Sequence, residues 1–573
     1  MAAALFRTKP IEVIQAEEEK EELVRDLGLW DLIAIGVGGT VGSGIFATAG
    51  SIISGSAGPA AVISWLVAGL VCIVNGFAYM EMSSLVPSSG STYAYSYHIL
   101  GELPAFVAGW LLTLEYGMSG AGVARSWSQK VQDWAEEGGG DYSFLNKDHY
   151  NLMAFVVMFL SMLILLGGIH FGKLFINTIT ATKVAVVLFI IVAGFAATKV
   201  DNLTPFVPPL SDDGTMFGTQ GVLLGASSAF FGYVGFDEVC CMAAEAKNPR
   251  KIMPRAVIGT ILGTMFLSCF ASLALSGMVP ASVYSNLPYT MTDGKVMTEF
   301  SFPAAFGYVG YSAAQVVVHI GETGTMPVVV LIAFLAQPRL LYAMSVDGLL
   351  PQIFGRVDKN GNLFWCTLIS GTFFCGIALV VPFDAIWNMV SIGILLSFNM
   401  TNSALILLRT RDSSAKIVYK LTAAIVLVSG VAAFVFQKGY MDNSYTWALG
   451  LAIALVVVVF ALAGVIYAKC PQNVGGDHMY RAPLVPLIQA LVILVNWYLI
   501  SQFVGKDLAR AAMWVGTSIV TYFLYGFSNS EGRTGWAKLL ASVKGLHGDE
   551  TMSRPSMDTS SSAKKNLLSP AIN

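Results

Sequence analysis

The chain runs to 573 residues, 55% of them apolar by type, with 33 Lys and Arg, 36 Asp and Glu, and a formal net charge of −3. Charged residues make up 12%, where soluble domains carry about 25%, so a set of ordinary water-soluble domains is excluded. The balanced charge and a sequence pI near 6.1 leave no basic stripe, which removes the electrostatic case for nucleic acid.

Residues 1–29 contain the acidic run Glu17 to Glu22, interrupted by Lys20, and no basic segment followed by a short apolar core and cleavage site. The first span therefore serves as an uncleaved insertion signal. Hydropathy predicts fourteen spans, near 30–53, 60–85, 104–124, 152–169, 174–198, 220–242, 256–277, 308–346, 364–381, 384–408, 421–437, 446–468, 485–503 and 511–528, all but the longer eighth near the ~20 residues a bilayer asks of a helix. Two outer stretches, 125–151 with Gly138-Gly139-Gly140 and 278–307, are too polar to span. With the N-terminus inside, the inner segments hold 23 Lys and Arg and the outer loops 8, which the positive-inside rule favours. From Glu531 onward the chain is rich in Ser, Lys and Thr and reads as a disordered cytoplasmic tail. The seven cysteines lie in or beside apolar runs without metal-ligand spacing and read as small buried apolar residues. No metal or cofactor is expected.

The fold class is thus an all-α polytopic membrane protein. Its divisions are 1–29 (cytoplasmic N-terminal segment), 30–408 (spans 1–10), 409–528 (spans 11–14) and 529–573 (tail).

Span 1 carries Gly36, Gly38, Gly39, Gly42 and Gly44 in nine residues, a density that weakens a helix. Unwound backbone in lipid is tolerated only where it faces protein or a watery cavity, and freed amides at a half-helix N-terminus suit a carboxylate. A close packing seam explains Gly38 with Gly42 but not all five. The relaxed dinucleotide fingerprint at Gly42 to Ala47 lacks its strand and is rejected. Five spans later, Phe230 to Glu238 repeats the anomaly with two glycines, four aromatics and two acids. Interruptions at corresponding positions of two halves point to a secondary transporter with inverted repeats.

Leu29-Trp30-Asp31 leading into Gly36 to Phe46, then Ala57-Gly58-Pro59-Ala60, Leu114-Glu115-Tyr116, Glu245-Ala246-Lys247-Asn248-Pro249 and Asp347-Gly348-Leu349-Leu350-Pro351 resemble the amino acid-polyamine-organocation superfamily. Tyr480-Arg481-Ala482-Pro483-Leu484-Val485-Pro486 with two further spans resembles its fourteen-span cationic amino acid transporter family. The resemblance covers about Gly28 to Phe527. It implies a five-plus-five inverted repeat in spans 1–10. The substrate carboxylate would then meet the amides of Thr40, Val41, Gly42, Ser43 and Gly44. The α-ammonium would meet carbonyls of Phe230, Phe231, Gly232 and Tyr233, with Phe231 or Tyr233 as an aromatic gate. Two departures, a single acid in Ala244-Glu245 and Leu363-Phe364-Trp365 before span 9, lie outside that pocket.

Charges inside spans are costly and usually functional. Lys183 in span 5 reads either as a proton-coupling residue or as a side chain snorkelling inward. In span 8, Ser312, Gln315, His319 and Glu322 share one helical face. Glu322 is the candidate for meeting a cationic substrate side chain, with a structural carboxyl as the alternative, and His319 is its modulator. Glu115 in span 3, Gln315 and Arg339 are structural or gating candidates; Asp237 and Glu238 support the span-6 break or cap its second half.

The resulting expectation is transport of amino acids by alternating access, cationic ones (lysine, arginine, ornithine) first and neutral ones second. The partners are the amino acid, the bilayer and protons, with no nucleic acid and no disulfide-linked heavy subunit. The rivals are a non-transporting receptor on the same fold and an intramembrane enzyme, against which no His-Glu-x-x-His or Gly-x-Ser-x-Gly occurs. A multi-pass protein of the plasma membrane or a vacuolar or endosomal membrane, both termini cytoplasmic, completes the reading.

Overall fold

A computed structural model describes residues 5–14, 27–88, 90–137, 145–147, 150–167, 173–210, 217–233, 235–290, 296–297, 299–358, 362–411, 415–472 and 480–536. The acidic run, the triple glycine and the tail beyond 536 lie outside the described residues.

A helix stands at every predicted span. Spans 2, 4, 5, 7 and 8 are Ala61–Leu85, Leu152–Leu166, Lys173–Ala197, Pro249–Met278 and Ser312–Val346. Spans 9, 10, 12 and 13 are Phe364–Val380, Phe383–Arg409, Thr446–Lys469 and Leu487–Ser501. Span 11 is Ala415–Phe434 continued by a π turn, and span 14 is Gly505–Thr521 continued to Asn529. Span 3 starts at Glu102, passes a π turn at Leu114–Met118 and runs on as Ser119–Glu137, well beyond the predicted end. Its polar continuation has no need to stop at the membrane boundary. By length and composition alone, seven described helices suffice to cross a membrane, and spans 1, 4, 9 and 13 are shorter apolar helices. Spans 3, 6 and 14 fall short of that measure. Two small hairpins, Asn146–Lys147 with Tyr150–Asn151 and Tyr289–Thr290 with Val296–Met297, sit in the polar stretches between spans 3 and 4 and between spans 7 and 8.

Packing follows the repeat. Spans 1, 2, 3 and 4 lie against spans 6, 7, 8 and 9 respectively, while span 5 touches spans 1, 7 and 8 and span 10 touches spans 6, 2 and 3. Exchanging the halves maps the second set of contacts onto the first, which is what a two-fold axis in the membrane plane requires.

Spans 11–14 join this core through polar knots. Glu81 of span 2 and Arg409 of span 10 form a two-pronged buried pair at 2.5 and 2.8 Å, and the Ala482 amide donates to the same carboxylate at 2.7 Å. The Tyr-Arg-Ala-Pro motif thereby docks its loop on the core. Asn75, Asn402 and Asn496 exchange side-chain amide bonds of 2.8–3.1 Å between spans 2, 10 and 13, in surroundings where an unpaired amide is costly.

Both described chain ends meet on one face. Lys9 is buried, its ammonium 2.6 Å from Asp347 at the end of span 8, and its carbonyl is 2.8 Å from His98 Nδ1. Arg7, Tyr522 and Ser530 all bond to Glu102 at the start of span 3, and the Trp536 ring meets Tyr97 edge-on at 5.8 Å.

Candidate functional site

Span 1 is helical from Leu29 to Ser43 except at Val41, ψ 118°, and Gly42, φ +116°, and resumes as Ile45–Ile52. A φ of that sign is open to glycine and strained for other residues. Span 6 is Gly218–Ala229, a tight turn at Phe230–Tyr233, Gly235 at φ +128° and a last helical turn Glu238–Cys241. The two breaks touch. A Cβ on Gly44 would stand 2.2 Å from the Gly232 Cα, and one on Gly232 would stand 2.3 Å from the Trp65 ring. Break and packing seam coexist in span 1: Gly36 seats against Thr260 and Gly38 against Thr180 of the neighbouring spans.

The predicted substrate positions divide. Thr40 is buried, its hydroxyl 2.7 Å from that of Thr264, and the Gly44 amide donates to the Thr40 carbonyl at 3.1 Å. Neither group is therefore a spare donor. Val41 and Phe230 are fully buried; the Ser43 side chain and Val234 lie outside the described residues. Tyr233 donates to the Trp65 carbonyl at 2.7 Å, which fastens it to span 2. Phe231 instead faces Phe383 edge-on, centroids 6.1 Å apart, and comes within 3.7 Å of where a Gly122 Cβ would be. It lies between spans 3 and 10.

Lys183 is fully buried, and its ammonium donates to the Gly38 carbonyl at 2.8 Å. That replaces the snorkelling alternative: the side chain turns into the protein, one turn before the break.

Among the acids, Glu115 and Asp237 lie beside each other, both fully buried and in no ion pair among the described residues. Glu238 approaches Gly39. Glu322 is 1% exposed and stands 3.1 Å from the Lys130 ammonium, off the angle of a hydrogen bond. The carboxylate expected to receive a cationic substrate already has a cation of its own. His319 stacks on Trp134 at 5.2 Å, Gln315 is buried, and Ser312, at the helix start, is exposed. Arg339 pairs with Glu245 at 3.0 Å on the face of the termini, joining span 8 to the loop after span 6. Leu27 bonds to that same loop.

Sequence reasoning missed Lys130 and Arg125. Both sit on the continuation of span 3, which hydropathy assigned to a loop. They line a cavity of about 500 Å³ on the face opposite the termini, walled also by Phe46, Glu299, Phe383 and Asp384.

Comparison with known proteins places this geometry among relatives. Residues 27–462 match the family model described as "Amino acid permease", and 480–530 match "C-terminus of AA_permease". The chain is 34% identical to a methylthioribose transporter of Bacillus subtilis (strain 168), over 82% of this chain and 98% of the relative. It is 31% identical to the branched-chain amino acid permease BcaP of the same organism, over 72% and 87%. A third relative, cationic amino acid transporter 4 of Mus musculus, is 28% identical over 92% and 90%.

Proposed function

The chain belongs to the amino acid permease family, an integral multi-pass transporter rather than an enzyme, and from that premise we propose that it carries cationic amino acids by alternating access through the crossing of spans 1 and 6. The observation that carries the reading is the backbone contact of Gly44 with Gly232. Two helix interruptions held together at membrane depth offer amides from one and carbonyls from the other, the donors and acceptors that an α-carboxylate and an α-ammonium need. Amides at Val41 to Ser43 take the carboxylate, carbonyls of Phe230 to Gly232 take the ammonium, and Phe231 closes the path. The cationic preference draws on the family motifs and on the relatives named cationic amino acid transporters.

Lys183 couples the cycle to protons: protonated, it holds the Gly38 carbonyl and with it the first half of span 1; neutral, it loosens that hold. The face of the termini is cytoplasmic, where Arg339 with Glu245 closes the inner mouth. The membrane is the plasma membrane or a vacuolar or endosomal one.

A second reading, a neutral substrate, is favoured by one observation, the Lys130 partner of Glu322. Uptake of radiolabelled L-arginine into proteoliposomes, competed by all twenty amino acids and by methylthioribose, separates the readings. Saturable uptake competed best by lysine and ornithine supports the proposal. Competition led by neutral amino acids supports the second reading, and the absence of flux for any of them means a receptor.

A further inference from the structure

We propose that the 500 Å³ vestibule is a second amino acid site, distinct from the crossing, in which the Arg125 guanidinium holds an α-carboxylate while Glu299 and Asp384 face the α-ammonium. Arg125 is 9% exposed. Its Nε and Nη2 donate to the carbonyls of Ala378 and Leu379 at 2.6 Å each, at the end of span 9. Those bonds fix the planar group but do not neutralise it, and among the described residues Arg125 has no carboxylate partner. A guanidinium has five N–H donors, so its remaining donors are free for a two-pronged bond to a carboxylate, the geometry it matches best. The other buried cation of the cavity, Lys130, has Glu322 as its ion-pair partner at 3.1 Å, with Glu299 and Asp133 also near it. The cavity's own acids, Glu299 and Asp384, stand on separate elements, the loop before Phe302 and the start of span 10. A guanidinium and two neighbouring carboxyl groups lining one cavity complement a zwitterion better than a simple ion.

The volume falls within the ~300–1,000 Å³ of small-molecule sites. The Phe231–Phe383 contact links this cavity to the crossing, since Phe383 lines the first and Phe231 belongs to the second. An amino acid held at Arg125 waits at the gate.

The inference rests on the amino acid reading of the substrate, and the test keeps the two apart. Equilibrium binding of radiolabelled L-arginine and, separately, L-alanine is measured on the purified full chain in nanodiscs, beside uptake in proteoliposomes. Wild type should bind about two molecules per protein and Arg125→Ala about one, with agmatine, which lacks the carboxylate, failing to displace the molecule lost. Should Arg125→Ala fail to give a monodisperse protein, Arg125→Lys retains the charge without the fork and should weaken the vestibule site about tenfold. A single site in wild type, no binding of either amino acid, or two sites that survive the Arg125 substitution overturns the vestibule site. Loss of uptake in wild type overturns the transport reading whichever stoichiometry is found.

Discussion

At the scale of single residues, glycines whose missing side chain is replaced by a neighbour's backbone carry the strictest requirement. Gly44→Ala drives a methyl into the Gly232 Cα at 2.2 Å, a contact no rotamer can relieve, so uptake should be abolished. Gly464→Ala, with no atom within 4 Å of its Cβ, should transport normally; parallel uptake assays compare the two. Lys183→Met keeps the packing and removes the donor to Gly38, so it should flatten the pH dependence of uptake while substrate still binds. A pH-independent wild type would sink the coupling role. Glu322→Gln leaves the buried Lys130 ammonium without its nearest partner. Breaking such a pair costs about 3–5 kcal/mol, with Glu299 and Asp133 near enough to reduce it. Cationic and neutral uptake should therefore fall together with thermal stability, and a loss confined to cationic substrates would return Glu322 to the pocket. The anomaly at each of these positions was readable from sequence: five glycines in nine residues, a lysine or a glutamate at membrane depth. Their partners were not, because Gly232, Gly38 and Lys130 come from elements brought together only by the fold.

At the scale of elements, the breaks in spans 1 and 6 were legible because glycine weakens a helix wherever it stands. The end of span 3 was not. Hydropathy stops where apolar residues stop, whereas the helix continues to Glu137 and lifts Arg125 and Lys130 into the vestibule. The Tyr480 to Pro486 motif was likewise recognisable as a motif without its purpose. Its purpose is the Glu81–Arg409–Ala482 knot, whose first two members are 328 residues apart. Arg409→Met strands a buried carboxylate and should destabilise by about 3–5 kcal/mol. Adding Glu81→Gln should restore part of that, and a double-mutant cycle of thermal stabilities should show non-additivity. Simple additivity would mean that the two side chains do not act as a pair.

At the scale of the whole molecule, the exchange of contacts between spans 1–5 and 6–10 gives two similar bundles leaning on each other, and the termini lie across one face of both. His98 offers a handle on that face. Burial, opposed by its bond to the Lys9 carbonyl and reinforced by Arg411, lowers its imidazole below the ordinary value, with Glu12 opposing weakly. A base whose folded pKa is lowered contributes stability above its unfolded value of about 6.5 and loses it as pH falls below that. Wild type should thus lose thermal stability between pH 7 and 5 through the docked N-terminal segment. His98→Asn should lose less over the same interval, and equal losses would place the acid sensitivity elsewhere.

The arrangement of the chain ends also has a consequence in time. Residues 7 and 9 emerge from the ribosome long before their partners: Lys9 finds its carboxylate only when Asp347 has been made, and Glu102 gathers Tyr522 and Ser530 only when span 14 has followed. This early segment is secured only after most of the spans have been made. Until span 14 is inserted, Glu102 has Arg7 and Tyr97 as its partners among the described residues, and a chain cut short before Tyr522 carries an early segment that has lost part of its hold.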